Sequence, residues 1–342
     1  METILITGGA GFIGSNFVDY LFKKHPDYFI IVLDALTYAG NPDNFNLLLK
    51  NDKRFEFWYG DVRNAEIVNS LVERSDYVVH FAAETHVARS IFDNRIFYET
   101  DVLGTQTVCN AILKNNSGIK KFIHISSSEV YGSAVEVPMT EDHPLLPASP
   151  YASAKAGADR MVYSYWKTYD IPAIIIRPFN NYGPHQHLEK VVPRFITSAI
   201  LNEPLTIHGD GSSSRDWVYV GDHCKALDAV LQSSNGNIFG KVINIGTGID
   251  IDVQTIAMKI LQKMNKSLDL IEYIQNRPGQ VIRHIASIDT AKEMLNWEPE
   301  TDFDAGLDWT IDWYASNQNW WEPLMWMRRI TIKMKDGTKV LH

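Results

Sequence analysis

The sequence predicts an α/β fold: a doubly wound parallel sheet with a smaller, partly interleaved substrate-binding region. Three observations lead there. Short β-branched runs alternate with longer helix-like stretches through the first half of the chain. The runs are continuously apolar, as strands buried on both faces are. A glycine-rich turn follows the first of them. The 342 residues are 45% hydrophobic and 21% charged, a globular mixture long enough for one large or two modest domains.

Taken in order, strands are expected at 3–7, 29–34, 55–59, 77–81, 121–126 and 173–177. Helices fill the gaps at 13–24, 65–74, 100–115 and 151–168. After residue 178 proline and glycine become frequent, before a helix at 222–232 and a strand at 242–245. This divides the chain into 1–178, a dinucleotide-binding domain carrying the catalytic helix; 179–316, mainly substrate binding; and a tryptophan-rich extension, 317–342. Toward the C-terminus Trp309, Trp313, Trp320, Trp321 and Trp326 crowd the last turns ahead of Arg328, Arg329 and an alternating run at 330–334. They predict a core-docking helix plus an edge strand, with an assembly contact as the functional alternative.

Charge narrows the function. Lys plus Arg number 32 and Asp plus Glu 41, giving −9 overall. Such a chain is a poor wrap for nucleic acid, although a local basic pocket for a phosphate is compatible with it. Two cysteines, Cys109 and Cys224, make neither a disulfide framework nor a four-ligand zinc site. His80, His86, His185 and His187 are scattered without partners at ligand spacing, so no metal is expected. Met1-Glu2-Thr3 leads straight into an apolar strand with no leader pattern, and no run is long enough to span a membrane. A cytoplasmic protein is the expectation.

The first strand ends in Thr7-Gly8-Gly9-Ala10-Gly11-Phe12-Ile13-Gly14. Gly8 and Gly11 let the backbone turn and approach a pyrophosphate, Gly14 lets the helix pack on the strand, and the helix N-terminus faces the negative charge. Phe12 and Ile13 belong to the same turn. Twenty residues after Gly14, Asp34 ends the second strand, placed to accept both ribose hydroxyls and to repel the extra phosphate of NADP. This Rossmann fingerprint predicts NAD. Asp61 and Val62, after the third strand, are placed for the adenine edge.

Tyr151 and Lys155 stand four apart, on one face of a helix. A phenol that must lose its proton near neutral pH gains from an adjacent ammonium, which favours phenolate and can also hold a ribose. At the end of the fifth strand stand Ser127, Ser128 and Glu129. Ser127 can share a substrate hydroxyl with Tyr151, and Glu129 is a candidate base.

From Ile4 to about Tyr314 the chain resembles the extended short-chain dehydrogenase/reductase superfamily. Within it, the chain is most similar to the nucleotide-sugar 4,6-dehydratases, above all those acting on dTDP-glucose. The resemblance rests on TGGAGFIGSNF, on DALTYAGN from Asp34, on HFAAETHVARS from His80 and on SPYASAKAGAD from Ser149. It continues in NNYGPHQHLEKVVP from Asn180, RDWVYVGDH from Arg215, NIG from Asn244 and RPGQ from Arg277. It implies that Thr37, Ala82 and Ala83 join the cofactor site. It also implies that Asn180, Lys190, Arg215, Asn244 and Arg277 grip the sugar nucleotide, the cations neutralising its diphosphate. A homodimer through the helices near 100–115 and 151–168 is implied as well. Two departures stand out. Ser128 occupies the place of the family's usual acidic residue, as in the Thr-Ser-Glu pattern of GDP-mannose 4,6-dehydratases and UDP-glucuronate decarboxylases. Gln280 stands where histidine is usual.

The implied reaction is redox-neutral: oxidation at carbon 4, loss of water across carbons 5 and 6 with Glu129 as base and Ser128 assisting, then re-reduction at carbon 6. A 4-epimerase has no use for a base at carbon 5. The sequence leaves open a UDP-glucuronate decarboxylase and a UDP-N-acetylglucosamine dehydratase. An NAD-sensing module without chemistry would have no need of Tyr151, Lys155 and Glu129 together.

Overall fold

The computed structural model describes residues 1–115, 118–276, 279–328, 331–333 and 336–341. The strands, in chain order, are β1 (Glu2–Thr7), β2 (Tyr28–Asp34), β3 (Phe55–Tyr59), β4 (Tyr77–His80), β5 (Lys121–Ile125), β6 (Ala173–Pro178), β7 (Asn180–Tyr182), β8 (Leu205–His208), β9 (Ser214–Tyr219) and β10 (Val242–Ile245). Seven of them form one parallel sheet in the order β10-β6-β5-β4-β1-β2-β3. The strand order reverses beside β1, which pairs β2 on one side and β4 on the other. That reversal opens a crevice at the carboxyl ends of the strands.

The sheet explains why its strands read as unbroken apolar runs. Ile4, Ile6, Ile30, Val32, Val79 and Ile123 enter the core on one face. Leu5, Ile31, Leu33, Val78 and Phe122 enter the core on the other. Alternate side chains point to opposite faces, and helices cover both.

The chain leaves this sheet after β6 and returns to it. The helix Val220–Gln232 packs against the helix Phe12–Lys24 and puts Cys224, Leu227 and Val230 into the first core. It then feeds β10, beside β6. A second core, separate from those on the two faces of the sheet, forms where the helices Val191–Leu201, Val253–Lys263 and Phe303–Ser316 meet β8, around Phe195, Ile256, Leu307 and Tyr314.

Two elements depart from the sequence reading. The helix expected at 100–115 begins at Arg95 and passes through a π-helical stretch, Tyr98–Gly104, before Thr105–Lys114. Gly104 lets this wide turn approach the loop after β3, since a Cβ there would sit 2.7 Å from Val62 Cγ2. The expected edge strand does not join the large sheet. Thr331–Lys333 pairs antiparallel with Lys339–Leu341 as its own hairpin. Upstream, Trp321 is buried in the second core, as expected for a docking segment, whereas Trp309 and Trp326 are exposed.

Candidate active site

A cavity of about 460 Å³ opens at the carboxyl ends of the strands. Its floor is the glycine turn. Gly8 has φ +68°, and a Cβ there would sit 2.5 Å from the Ala82 amide nitrogen. A Cβ on Gly14 would sit 2.4 Å from the Gly8 carbonyl oxygen. The fold itself therefore requires those two glycines. Gly11 is different: its Cβ would meet only the Gly8 carbonyl oxygen, at 3.3 Å. Its bareness leaves room for a group in the cavity. The helix Phe12–Lys24 has neither a side-chain cap nor an acidic residue in its first turn. Phe12, Ile13 and Gly14, its first residues, line the cavity, a ready seat for a pyrophosphate.

Asp34 closes one end. It is buried, and its Oδ2 accepts the Ala10 N–H at 2.9 Å while Oδ1 accepts the Leu36 N–H at 2.8 Å. Burial raises its pKa, and these two amides offset only part of that. Each oxygen keeps a second lone pair for a ribose hydroxyl. Thr37, Asp61, Val62, Ala82 and Ala83 line the same cavity. Asp61 is engaged by Arg63, whose Nη2 lies 2.7 Å from its Oδ2. The Thr37 hydroxyl pairs with Glu84, a buried carboxyl that the sequence reading did not single out. These residues fit a dinucleotide with unmodified ribose hydroxyls.

Tyr151 and Lys155 lie on the helix Pro150–Tyr169. Ser149 caps it by accepting the Ala152 N–H at 3.1 Å, and Pro150 occupies the first turn. Both side chains reach the cavity and both are buried. Burial raises the Tyr151 pKa, and the Ser127 hydroxyl beside it offsets this in part. The Lys155 ammonium is turned to the Ile125 carbonyl, to which Nζ donates at 2.7 Å, and burial lowers its own pKa. Asp101, on the π-helical turn, is a buried carboxyl facing this pair. Its Oδ1 accepts the Glu84 N–H at 2.8 Å, and burial raises its pKa.

Ser127 caps a 3-10 turn, Ser128–Tyr131, and accepts the Glu129 N–H at 3.2 Å. Ser127, Ser128 and Glu129 all line the cavity together with Tyr151. The Ser128 hydroxyl lies 3.4 Å from His284 Nδ1, while His284 Nε2 lies 2.6 Å from the Gly132 carbonyl oxygen. A carbonyl only accepts, so Nε2 carries the proton and Ser128 donates to Nδ1. Burial pushes the His284 pKa down to about 4. The sequence reading missed His284, which stands 156 residues from its partner.

The outer wall is built by the second core. Asn180, Lys190 and Arg215 reach it. Lys190 Nζ donates to the Thr85 carbonyl at 3.0 Å and lies 3.2 Å from Glu189 Oε1. Burial alone would raise Glu189; Lys190 and His86 overcome it and hold this carboxylate well below the usual range. Tyr38 donates to Glu189 at 3.0 Å. Arg215 donates to the carbonyls of Ser214 and Val281 at 2.9 and 2.8 Å. Asn244 does not reach the cavity: it is fully buried, accepts the Tyr131 hydroxyl at 2.7 Å and donates to the Met139 carbonyl at 3.0 Å. Arg277 lies outside the described residues, whereas Gln280 lines the wall. The wall also holds Arg194, which the sequence reading did not single out, and Arg328, which it noted only as part of the C-terminal segment. Among the described residues, no three His, Cys, Asp or Glu side chains gather as a metal site.

Known proteins are similar to this chain in sequence and fold. The chain is 46% identical to the low-salt glycan biosynthesis protein Agl12 of Haloferax volcanii over 92% of its own length and 99% of that protein. It is 39% identical to a dTDP-glucose 4,6-dehydratase of Streptomyces antibioticus, covering 94% and 95% of the two chains. The crystal structure of a dTDP-glucose 4,6-dehydratase from Bacillus anthracis in complex with NAD superposes with a TM-score of 0.87 at 38% identity, over 95% of this chain and 100% of that one. A model of the GDP-mannose 4,6 dehydratase family matches residues 5–310, and the chain belongs to that family of nucleotide-sugar enzymes.

Proposed function

We propose that the chain is an NAD-dependent NDP-hexose 4,6-dehydratase, a carbon–oxygen lyase acting on dTDP-glucose and yielding a 4-keto-6-deoxy sugar. One observation carries this reading: Glu129 lines the same cavity as Tyr151, Ser127 and Asp34. An oxidation at carbon 4 needs only the tyrosine and serine. A carboxylate beside them has work to do only if a proton also leaves carbon 5.

Bound NAD supplies the hydride acceptor and donor, and its oxidised ring adds a positive charge. Tyr151 takes the proton of the 4-hydroxyl, which Ser127 helps to orient. The ketone acidifies the proton on carbon 5, and Glu129 removes it. The proton that Glu129 takes passes to the hydroxyl leaving carbon 6, relayed by the Ser128 hydroxyl as it turns from His284, so that neutral water leaves. Lys155 holds the ribose. Lys190 and Arg215 neutralise the diphosphate. Incubating the protein with a panel of NDP-sugars and following product mass tests the assignment. Loss of one water from dTDP-glucose is expected. Loss of carbon dioxide from UDP-glucuronate would favour a decarboxylase, and turnover without mass change would favour an epimerase.

Two further readings belong to this proposal. Tyr98, Leu103, Tyr163 and Tyr169 are exposed on the helical segments around 98–114 and 150–169, and they suit a homodimer contact. Sedimentation should show a dimer at micromolar concentration; only monomer would refute it. Cys109 and Cys224 are buried free thiols, compatible with a reducing cytoplasm.

A further inference from the structure

The C-terminal segment returns to the cavity wall. After the helix Phe303–Ser316 and the short helix Gln318–Trp321, a 3-10 turn, Glu322–Met327, delivers Arg328 to the cavity wall. Aromatic packing fixes this return. Trp321 donates its indole N–H to the Tyr314 carbonyl at 2.8 Å, and Trp320 donates to Asn44 Oδ1 at 2.8 Å. Beyond it, the strand Thr331–Lys333 lies beside the helix Val87–Phe92, whose first residue also lines the cavity.

Arg328 is only 5% exposed. Its Nη2 donates to Glu203 Oε2, while its buried Nη1 has no hydrogen-bond partner among the described residues. A buried N–H without an acceptor is costly, and the cavity is where an acceptor can arrive. Arg194 and Thr206 line the same cavity, on the second core rather than on the sheet that carries the glycine turn.

We propose that Arg328 determines nucleotide specificity, its Nη1 donating to a carbonyl oxygen of the substrate's base, so that the C-terminal segment completes the nucleotide subsite. The proposal rests on the nucleotide-sugar reading above. Charge selects the acceptor. Glu203 neutralises this guanidinium, and a carboxylate beside a diphosphate would repel it. A neutral carbonyl meets the same N–H without that repulsion. The diphosphate has other cations on the wall, Arg194 and Arg215.

The test is equilibrium binding of dTDP, UDP, CDP and inorganic pyrophosphate to the NAD-loaded protein and to its Arg328→Met variant. The variant should bind the tightest nucleotide about ten- to a hundredfold more weakly, the scale of one charge-assisted hydrogen bond. Pyrophosphate affinity should stay within about twofold, and the spread among the bases should narrow. With the sugar nucleotide, KM should rise while kcat holds. Equal weakening of every ligand, pyrophosphate included, would overturn the proposal, as would no change. Should Arg328→Met fail to fold, Arg328→Lys keeps the charge on Glu203 and removes the second arm; unchanged selectivity in it would overturn the proposal as well. A native protein that binds no nucleoside diphosphate would instead bring down the nucleotide-sugar reading itself, a result visible before any variant is made.

Discussion

At the residue scale, Glu129 separates the steps of the reaction. Glu129→Gln keeps the shape and removes the proton acceptor, while Tyr151 and Lys155 remain. Oxidation at carbon 4 should proceed and water loss should stall. Stopped-flow absorbance should show enzyme-bound NADH accumulating with a 4-keto sugar, and turnover should fall by about 100- to 10,000-fold. Tyr151→Phe should differ by slowing NADH formation itself. Dehydration at near-native rate in Glu129→Gln would remove Glu129 from the chemistry. Ser128 is a subtler case: its identity was legible in the sequence, but its hydrogen-bond direction was not, because His284 sets it from 156 residues away.

At the element scale, the glycine turn makes two different demands that one motif conceals. Gly14 is required by the fold, because a Cβ would collide with the Gly8 carbonyl oxygen at 2.4 Å, and backbone has little room to give. Gly14→Ala should therefore destabilise the cofactor-free protein, by about 1–3 kcal/mol as overpacked cores do, and lose NAD as a consequence. Gly11→Ala faces only one contact, at 3.3 Å, so the cofactor-free protein should unfold near the native midpoint while binding NAD more weakly. Thermal unfolding with and without NAD distinguishes them. Equal loss of cofactor-free stability in both variants would mean that Gly11 serves the fold rather than the ligand.

At the scale of the whole molecule, the buried pair Asp159–Arg177 ties the catalytic helix to β6. Arg177 Nε and Nη2 each donate to Asp159 at 2.9 Å, and both side chains are fully buried. Burial would raise the Asp159 pKa; Arg177 overcomes this and holds it well below the usual carboxylate range. A depressed carboxylate contributes stability that is complete above its unfolded pKa, about 3.9, and is lost as pH falls through the folded value. Asp159→Asn should cost about 3–5 kcal/mol at neutral pH by leaving a buried cation without its charge partner. It should also flatten the acid limb of stability below about pH 4. Urea unfolding across pH checks both, and a variant with the native acid limb would show that the pair does not govern it.

What the sequence by itself determined is whatever repeats or clusters locally. Apolar runs such as Phe29 to Leu33 located the strands, because parallel strands bury both faces. Gly8, Gly11 and Gly14 with Asp34, and Tyr151 with Lys155, were legible because each set lies on one turn or one helix face. The tertiary structure alone decided what depends on distant partners. It turned Lys155 to a carbonyl, and it buried Asn244 against Tyr131, 113 residues away, instead of exposing it to the cavity. It brought Arg328 to Glu203 across 125 residues. The physical reason is the range of the interactions. Periodicity and backbone geometry act over a few residues, whereas the pairing of buried polar groups is fixed only when separate cores meet around one cavity.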